Sequence, residues 1–182
     1  MKLMIASDLH GSSYYVNLLL QRLAEEKPEK FLLLGDILYH GPRNDLPRDY
    51  GTKKTAAMLN ALESAPLCIR GNCDGEVDQM VLDFPVLADF AAVFADGYTL
   101  YLTHGHHRDE AAKALSGGDI LLFGHTHVPL FEKKDDIYYV NPGSVSIPKE
   151  GSRHSYLLFE NGTFTWKDVE TAEVWRQEAV SK

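Results

Sequence analysis

The 182-residue chain predicts an α/β layered fold in one domain spanning 1–182. Three observations predict it: short apolar runs that end in small or polar residues, helix-period patterns between those runs, and Asn161-Gly162 between two strand-like runs. Apolar residues make up 45% of the chain, enough for one sizeable core. No Pro/Gly/Ser-rich linker, low-complexity tract or internal repeat divides it.

Leu3 to Ala6 is the first strand, an apolar run of the kind buried on both faces. Ser12 or Ser13 then caps a helix on which Val16, Leu19, Leu20 and Leu23 recur at helical spacing. Phe31 to Leu34 is the next strand, Lys53 to Leu62 the next helical candidate, and Leu67 to Ile69 another short strand. Thr99 to Leu102 alternates and Ile120 to Phe123 is apolar throughout, so both read as strands. In the last third, Phe131 to Val140 forms two strands around Lys134-Asp135-Asp136, and Tyr156 to Trp166 is split by Asn161-Gly162, a tight hairpin signal. The expected arrangement is a mixed sheet in the first part, an antiparallel hairpin-rich C-terminal part, and helices outside.

A formal charge of -8 argues against a stable nucleic-acid complex, which needs clustered Lys and Arg to release counterions. No stretch approaches the roughly 18 apolar residues of a membrane span, and polar groups rather than a long apolar core come after Met1 to Ala6, so a cytoplasmic location without membrane association is expected. Cys68 and Cys73 are too few for a disulfide framework and match none of the common zinc spacings, so reduced thiols are expected.

The chemistry lies at the carboxyl end of each apolar run. Asp8 and His10 come after the first strand, Gly35-Asp36 after the second, and Gly71-Asn72-Cys73-Asp74 after the third. His104-Gly105-His106 and Gly124-His125-Thr126-His127 come after the next two. Strand ends in open α/β sheets face a common crevice, so these clusters converge. In Asp8-Leu9-His10 and in His125-Thr126-His127 the polar groups are two apart, so extended backbone projects both to one side, where they can grip one centre. Taken singly, each cluster is an ordinary turn, cap or satisfied histidine. Five independent turns have no reason to put carboxylate, imidazole and carboxamide groups at the ends of five strands.

Asp8-x-His10, Gly35-Asp36, Gly71-Asn72-x-Asp74, His104 and Gly124-His125-x-His127 resemble, in order as well as content, the motifs of the calcineurin-like metallophosphoesterases. Asn72-Cys73-Asp74, Thr103-His104-Gly105-His106 and Asn141-Pro142-Gly143-Ser144 resemble in particular the small YfcE-type phosphodiesterases, over about Met1 to Ile147. The resemblance implies a four-layer α/β/β/α sandwich with mixed sheets. It implies two divalent metal ions, one held by Asp8, His10 and His127, the other by Asn72, His104 and His125, with Asp36 bridging. It also implies self-association as a dimer or tetramer.

These nitrogen and oxygen donors suit manganese, iron, nickel or zinc and are too imidazole-rich for calcium; family likeness puts manganese first. Such a centre activates a bridging water to hydroxide and clamps phosphoryl oxygens, so the expected activity is hydrolysis of a small phosphodiester. A phosphomonoesterase or nucleotide pyrophosphatase is the alternative within the same chemistry. A non-catalytic protein-interaction scaffold, a use to which a eukaryotic retromer subunit puts this fold, is the alternative outside it. Many relatives carry histidine where this chain has Cys73, and a thiol is a poor leaving-group acid. Cys73, Asp74 and His106 are the expected catalytic group, with His106 the nearest substitute acid and His107 a structural or solvated neighbour. Arg43, on the loop after Asp36, is expected to contact substrate phosphate, and Asn141 to Ser144 to line the crevice.

Overall fold

The computed structural model describes residues 1–181. Alternation along the buried strands sorts their side chains into two cores. In β1 (Leu3–Ala6), Leu3 and Ile5 point into the space between two stacked sheets, whereas Met4 and Ala6 point to a helical layer. In β2 (Lys30–Leu33), Leu32 takes the first side and Phe31 and Leu33 the second. Both faces are covered, so neither face of these runs is polar.

The first sheet runs β11 (Val174–Ala179), β10 (Thr163–Asp168), β9 (Ser155–Glu160), β1, β2, β3 (Leu67–Cys68). β1 pairs parallel with β2 and antiparallel with β9. The second runs β4 (Ala91–Ala95), β5 (Tyr98–Leu102), β6 (Ile120–Leu122), β8 (Ile137–Asn141), β7 (Leu130–Lys134), with β5, β6 and β8 parallel. Phe159, Phe164 and Trp166 of the first sheet meet Leu100, Leu122 and Val140 of the second, all fully buried. Each large side chain so buried contributes about 1.5–3 kcal/mol, which makes this inter-sheet layer a rigid base for the loops above it.

Helix α1 (Ser13–Glu26) covers the other face of the first sheet with Tyr15, Val16 and Leu19, and α2 (Thr52–Asn60) covers it with Ala56 and Leu59. Ser12 caps α1 by accepting from the Tyr15 amide at 3.3 Å. On the second sheet the helical layer is thin: the five-residue α4 (Arg108–Ala112) bridges parallel strands β5 and β6 and buries Ala111. The remaining helix, α3 (Glu76–Gln79), is a single turn after β3.

The expected split into a mixed first part and an antiparallel last part is corrected. β9 joins the sheet of β1, and β8 pairs parallel with β6, so both sheets mix early and late strands. β4, β11, α3 and α4 carry no reading at the sequence level: the helices are too short for a period, and β11 is an edge strand with no fully apolar face. The Asn161-Gly162 hairpin forms as expected, with φ of 49° and 74°, and Asp135-Asp136 turns the same way with φ of 51° and 62°.

Candidate metal centre

The parallel strands β1, β2 and β3 of one sheet and β5 and β6 of the other deliver their loops to one edge of the sandwich. There Asp8, His10, Asp36, His125 and His127 all take positive φ, between 44° and 65°. Non-glycine residues pay about 1 kcal/mol or more for that conformation, and it persists only where the surroundings enforce it. The surroundings here are specific. Asp74, buried after β3, accepts from the amides of Asp36 at 2.7 Å, Ile37 at 2.8 Å and Gly71 at 2.7 Å. The hydroxyls of Ser144 and Ser146 donate to the Asp8 carbonyl at 2.9 and 3.0 Å. Gly71 is obligatory, since a Cβ there would collide with the Asp36 carboxylate.

Three imidazoles are oriented alike. Nδ1 of His10 lies 2.8 Å from the Tyr39 carbonyl, Nδ1 of His104 2.6 Å from that of Leu34, and Nδ1 of His127 2.6 Å from that of Ile147. A carbonyl accepts only from N–H, so Nδ1 carries a ring proton and Nε2 is the atom each neutral imidazole leaves for a metal. These Nε2 atoms converge with carboxylates. His10 Nε2 and His127 Nε2 are 3.2 Å apart, and His127 Nε2 is 3.2 Å from Asp8 Oδ1, a buried atom with no hydrogen-bond donor. Asp36 Oδ2 stands between the groups, 3.6 Å from His10 Nε2 and 3.4 Å from His104 Nε2, while Asn72 Oδ1 is 3.1 Å from His104 Nε2. Carboxylates and Nε2 atoms gathered this closely call for positive charge, from ring protons or from a cation, and this donor set fits divalent transition metals.

The acid–base properties express the same demand. Burial alone would lower His10 and His104, but the adjoining Asp8 and Asp36 carboxylates outweigh it and push both up, His104 to about 9. Burial would raise Asp8, yet His10 and His127 beside it and the charge of His104 hold it well below the usual carboxylate range. His106 and His125 are lowered by burial and then by the charge of His104.

The structure brings Asp8, His10 and His127 into one tight group and Asp8, Asp36 and His104 into another. His125 lies outside both. Its ring stands edge-on to that of His104 at 5.1 Å between centroids, and its amide donates to Asp8 Oδ2 at 3.1 Å. Cys73 joins His10 and Asp36 in a third group and donates its amide to Asp36 Oδ1 at 2.8 Å. Burial, then the charge of Asp36, push its thiol up to about 12. Asp74, expected to be catalytic, has its carboxylate bonded to three amides that brace the Asp36 loop, and it lines neither adjoining cavity.

Two cavities meet at Asn72. One, of about 390 Å³, is lined by Arg43, Cys73, His125, His127 and Lys149. The other, of about 460 Å³, takes His106 with Arg70, Phe90, His107 and Glu110. Arg43 and His106 therefore flank the centre on different sides. Sequence reading missed Lys149, Ser146 and the bracing role of Ser144; lone serines and a loop lysine carry no motif signal. Asn141 supports the crevice from below, its side-chain amide donating to the Gly124 carbonyl at 2.7 Å.

The chain matches the calcineurin-like phosphoesterase superfamily domain over residues 1–163. It is 46% identical to phosphodiesterase YfcE of Escherichia coli K12 over 162 residues, 88% of each chain. The solved structure of YfcE, a phosphoesterase from E. coli, superposes with a TM-score of 0.94 at 41% identity and covers 100% of both chains. Vacuolar protein sorting 29 from Cryptosporidium parvum shares the fold with a TM-score of 0.70 at 17% identity, over 100% of this chain and 98% of that one.

Proposed function

The chain belongs to the calcineurin-like phosphoesterase superfamily, and from that premise we propose that it is a metal-dependent phosphodiesterase acting on small diesters through a dinuclear centre. Asp8, His10 and His127 would hold one ion and Asn72, His104 and His125 the other, with Asp36 shared. When bound, the ions supply a hydroxide nucleophile near neutral pH and neutralise the phosphoryl oxygens. Manganese is the proposed metal, by likeness to the family.

The protein's own groups set the rest. The Leu34, Tyr39 and Ile147 carbonyls fix the tautomers of His104, His10 and His127, so each presents a lone pair without rearrangement. Two ions bring four positive charges and the carboxylates of Asp8 and Asp36 remove two, which leaves a surplus that attracts phosphate. Arg43 extends that field over the cleft. His106 in the adjoining cavity would serve the leaving group in its imidazolium form, because the Cys73 thiol holds its proton too firmly to serve as an acid.

The observation that carries this function is the convergence of the Nε2 atoms of His10, His104 and His127, each ring anchored through Nδ1, on the carboxylates of Asp8 and Asp36. The test assays chelated protein refilled with manganese, nickel or zinc against bis-p-nitrophenyl phosphate and p-nitrophenyl phosphate in parallel. Metal-restored cleavage of the diester is expected. Cleavage of the monoester alone would favour a phosphomonoesterase, and no cleavage with metal bound would favour a scaffold.

A further inference from the structure

We propose that Arg43 and Lys149 form a second anion subsite, selecting phosphodiesters one of whose ester arms carries a further anionic group such as a carboxylate or phosphate. The proposal rests on the phosphodiesterase function above and deepens it. Both residues line the 390 Å³ cavity beside Asp36, Asn72, Cys73, His125 and His127. A cleft of that size accommodates more than one phosphate group. Neither side chain takes part in an ion pair or hydrogen bond among the described residues, whereas Arg22, Arg153 and Arg176 are each paired with a glutamate.

The charge in the cleft is lopsided. Asp36, a proposed metal ligand, is the one carboxylate in this lining, while the cavity on the far side of Asn72 mixes Arg70, His106 and His107 with Asp89 and Glu110. Bound metal ions would neutralise the scissile phosphate, so two further cations over it are surplus to that phosphate and suited to a second negative group.

Both cations are anchored to the centre through the backbone. The Tyr39 carbonyl on the Arg43 side holds His10 Nδ1 at 2.8 Å. The adjoining turn is shaped by Asn44, whose amide donates to the Gly41 carbonyl at 3.4 Å and whose side chain donates to that of His40 at 2.8 Å. On the other side the Lys149 amide donates to the His127 carbonyl at 3.2 Å, and the Ser152 hydroxyl to the Lys149 carbonyl at 2.7 Å. The two loops that orient ligand histidines thus place the two cations, and a ligand held by them is held in register with the metals.

The test compares 2-carboxyethyl p-nitrophenyl phosphate with propyl p-nitrophenyl phosphate, which release the same leaving group and differ in one carboxylate. The manganese-loaded protein is expected to favour the carboxylate ester in kcat/KM by about tenfold at low salt, the factor of one charge-assisted contact, with the preference fading as salt rises. The ratio is expected to fall toward one in Arg43→Gln and in Lys149→Gln. A ratio near one in the unaltered protein overturns the subsite. So does a ratio that survives both substitutions, or an equal loss on both esters, which would place the cations on the scissile phosphate. If neither ester is cleaved, the phosphodiesterase function fails, and calorimetric binding of 3-phosphonopropionate against propylphosphonate decides the subsite by itself. Tighter binding of the carboxylate compound, lost in both variants, sustains the subsite; equal affinities refute it.

Discussion

Replacing Cys73 by histidine is expected to raise turnover selectively on diesters with poor leaving groups. The thiol faces the metal-binding cluster, and burial together with Asp36 push its pKa up to about 12, so it offers no proton at neutral pH. An imidazole, with an ordinary pKa of about 6.5, does. Space exists for it: Cys73 lines the 390 Å³ cavity, and Gly41 leaves the side of the sulfur without a side chain. The contact from the Cys73 amide to Asp36 Oδ1 at 2.8 Å comes from the backbone and survives the exchange. A well-placed general acid contributes about 10²–10⁴-fold. An imidazole introduced without further adjustment is expected to recover the lower end, about 10- to 100-fold, for phenolate departure and little for p-nitrophenolate. The assay is kcat for diphenyl phosphate relative to bis-p-nitrophenyl phosphate, with metal content measured on the same samples. An unchanged ratio at unchanged metal content would refute the reasoning that the missing acid limits the reaction.

The packing sets two further outcomes. Ser144→Ala removes a donor to the Asp8 carbonyl and an acceptor for the Ile147 amide at 2.9 Å, both buried or nearly so, and is expected to cost about 1–3 kcal/mol in urea unfolding and to weaken metal retention in a chelator competition. Glu26, at the end of α1, accepts from Lys167, from Lys2 at 2.7 Å and from Tyr156 at 3.0 Å, ties that outweigh burial and lower its pKa. A carboxylate depressed in the folded state adds stability above its unfolded pKa of about 4.3, and that stability is lost as pH falls through the folded value. Glu26→Gln is therefore expected to cost about 1–2 kcal/mol at pH 7 and to approach the unaltered protein in acid, as tracked by denaturant midpoints across that range.

How much was legible before the structure depended on the range of the signal. Leu3 to Ala6 matches β1 residue for residue, because a strand buried on both faces leaves a continuous apolar run. The helix after Ser12 was legible because its cap and its apolar period agree. The strand-end clusters were legible too, since each motif lies within a few residues of its strand. The features that escaped act across long separations. Ser144 and Ser146 reach Asp8 from 136 and 138 positions away, and nothing local marks them as braces. Asp74 looks like one more acidic group in a motif, and only the three amides around it show that its charge holds a loop in place. The mingling of early and late strands escaped for the same reason: pairing of β1 with β9 is a long-range event, and both the mixed and the segregated arrangement satisfy the same local alternation.

The centre itself is tested most directly by counting metal. Protein stripped with chelator, dialysed against manganese and measured by mass spectrometry of the metal is expected to hold two ions per chain, and Asp36→Asn, which alters the carboxylate standing between His10 and His104, is expected to lose at least one of them. A chain that retains no transition metal, or an Asp36→Asn variant that keeps the full complement, would contradict the account.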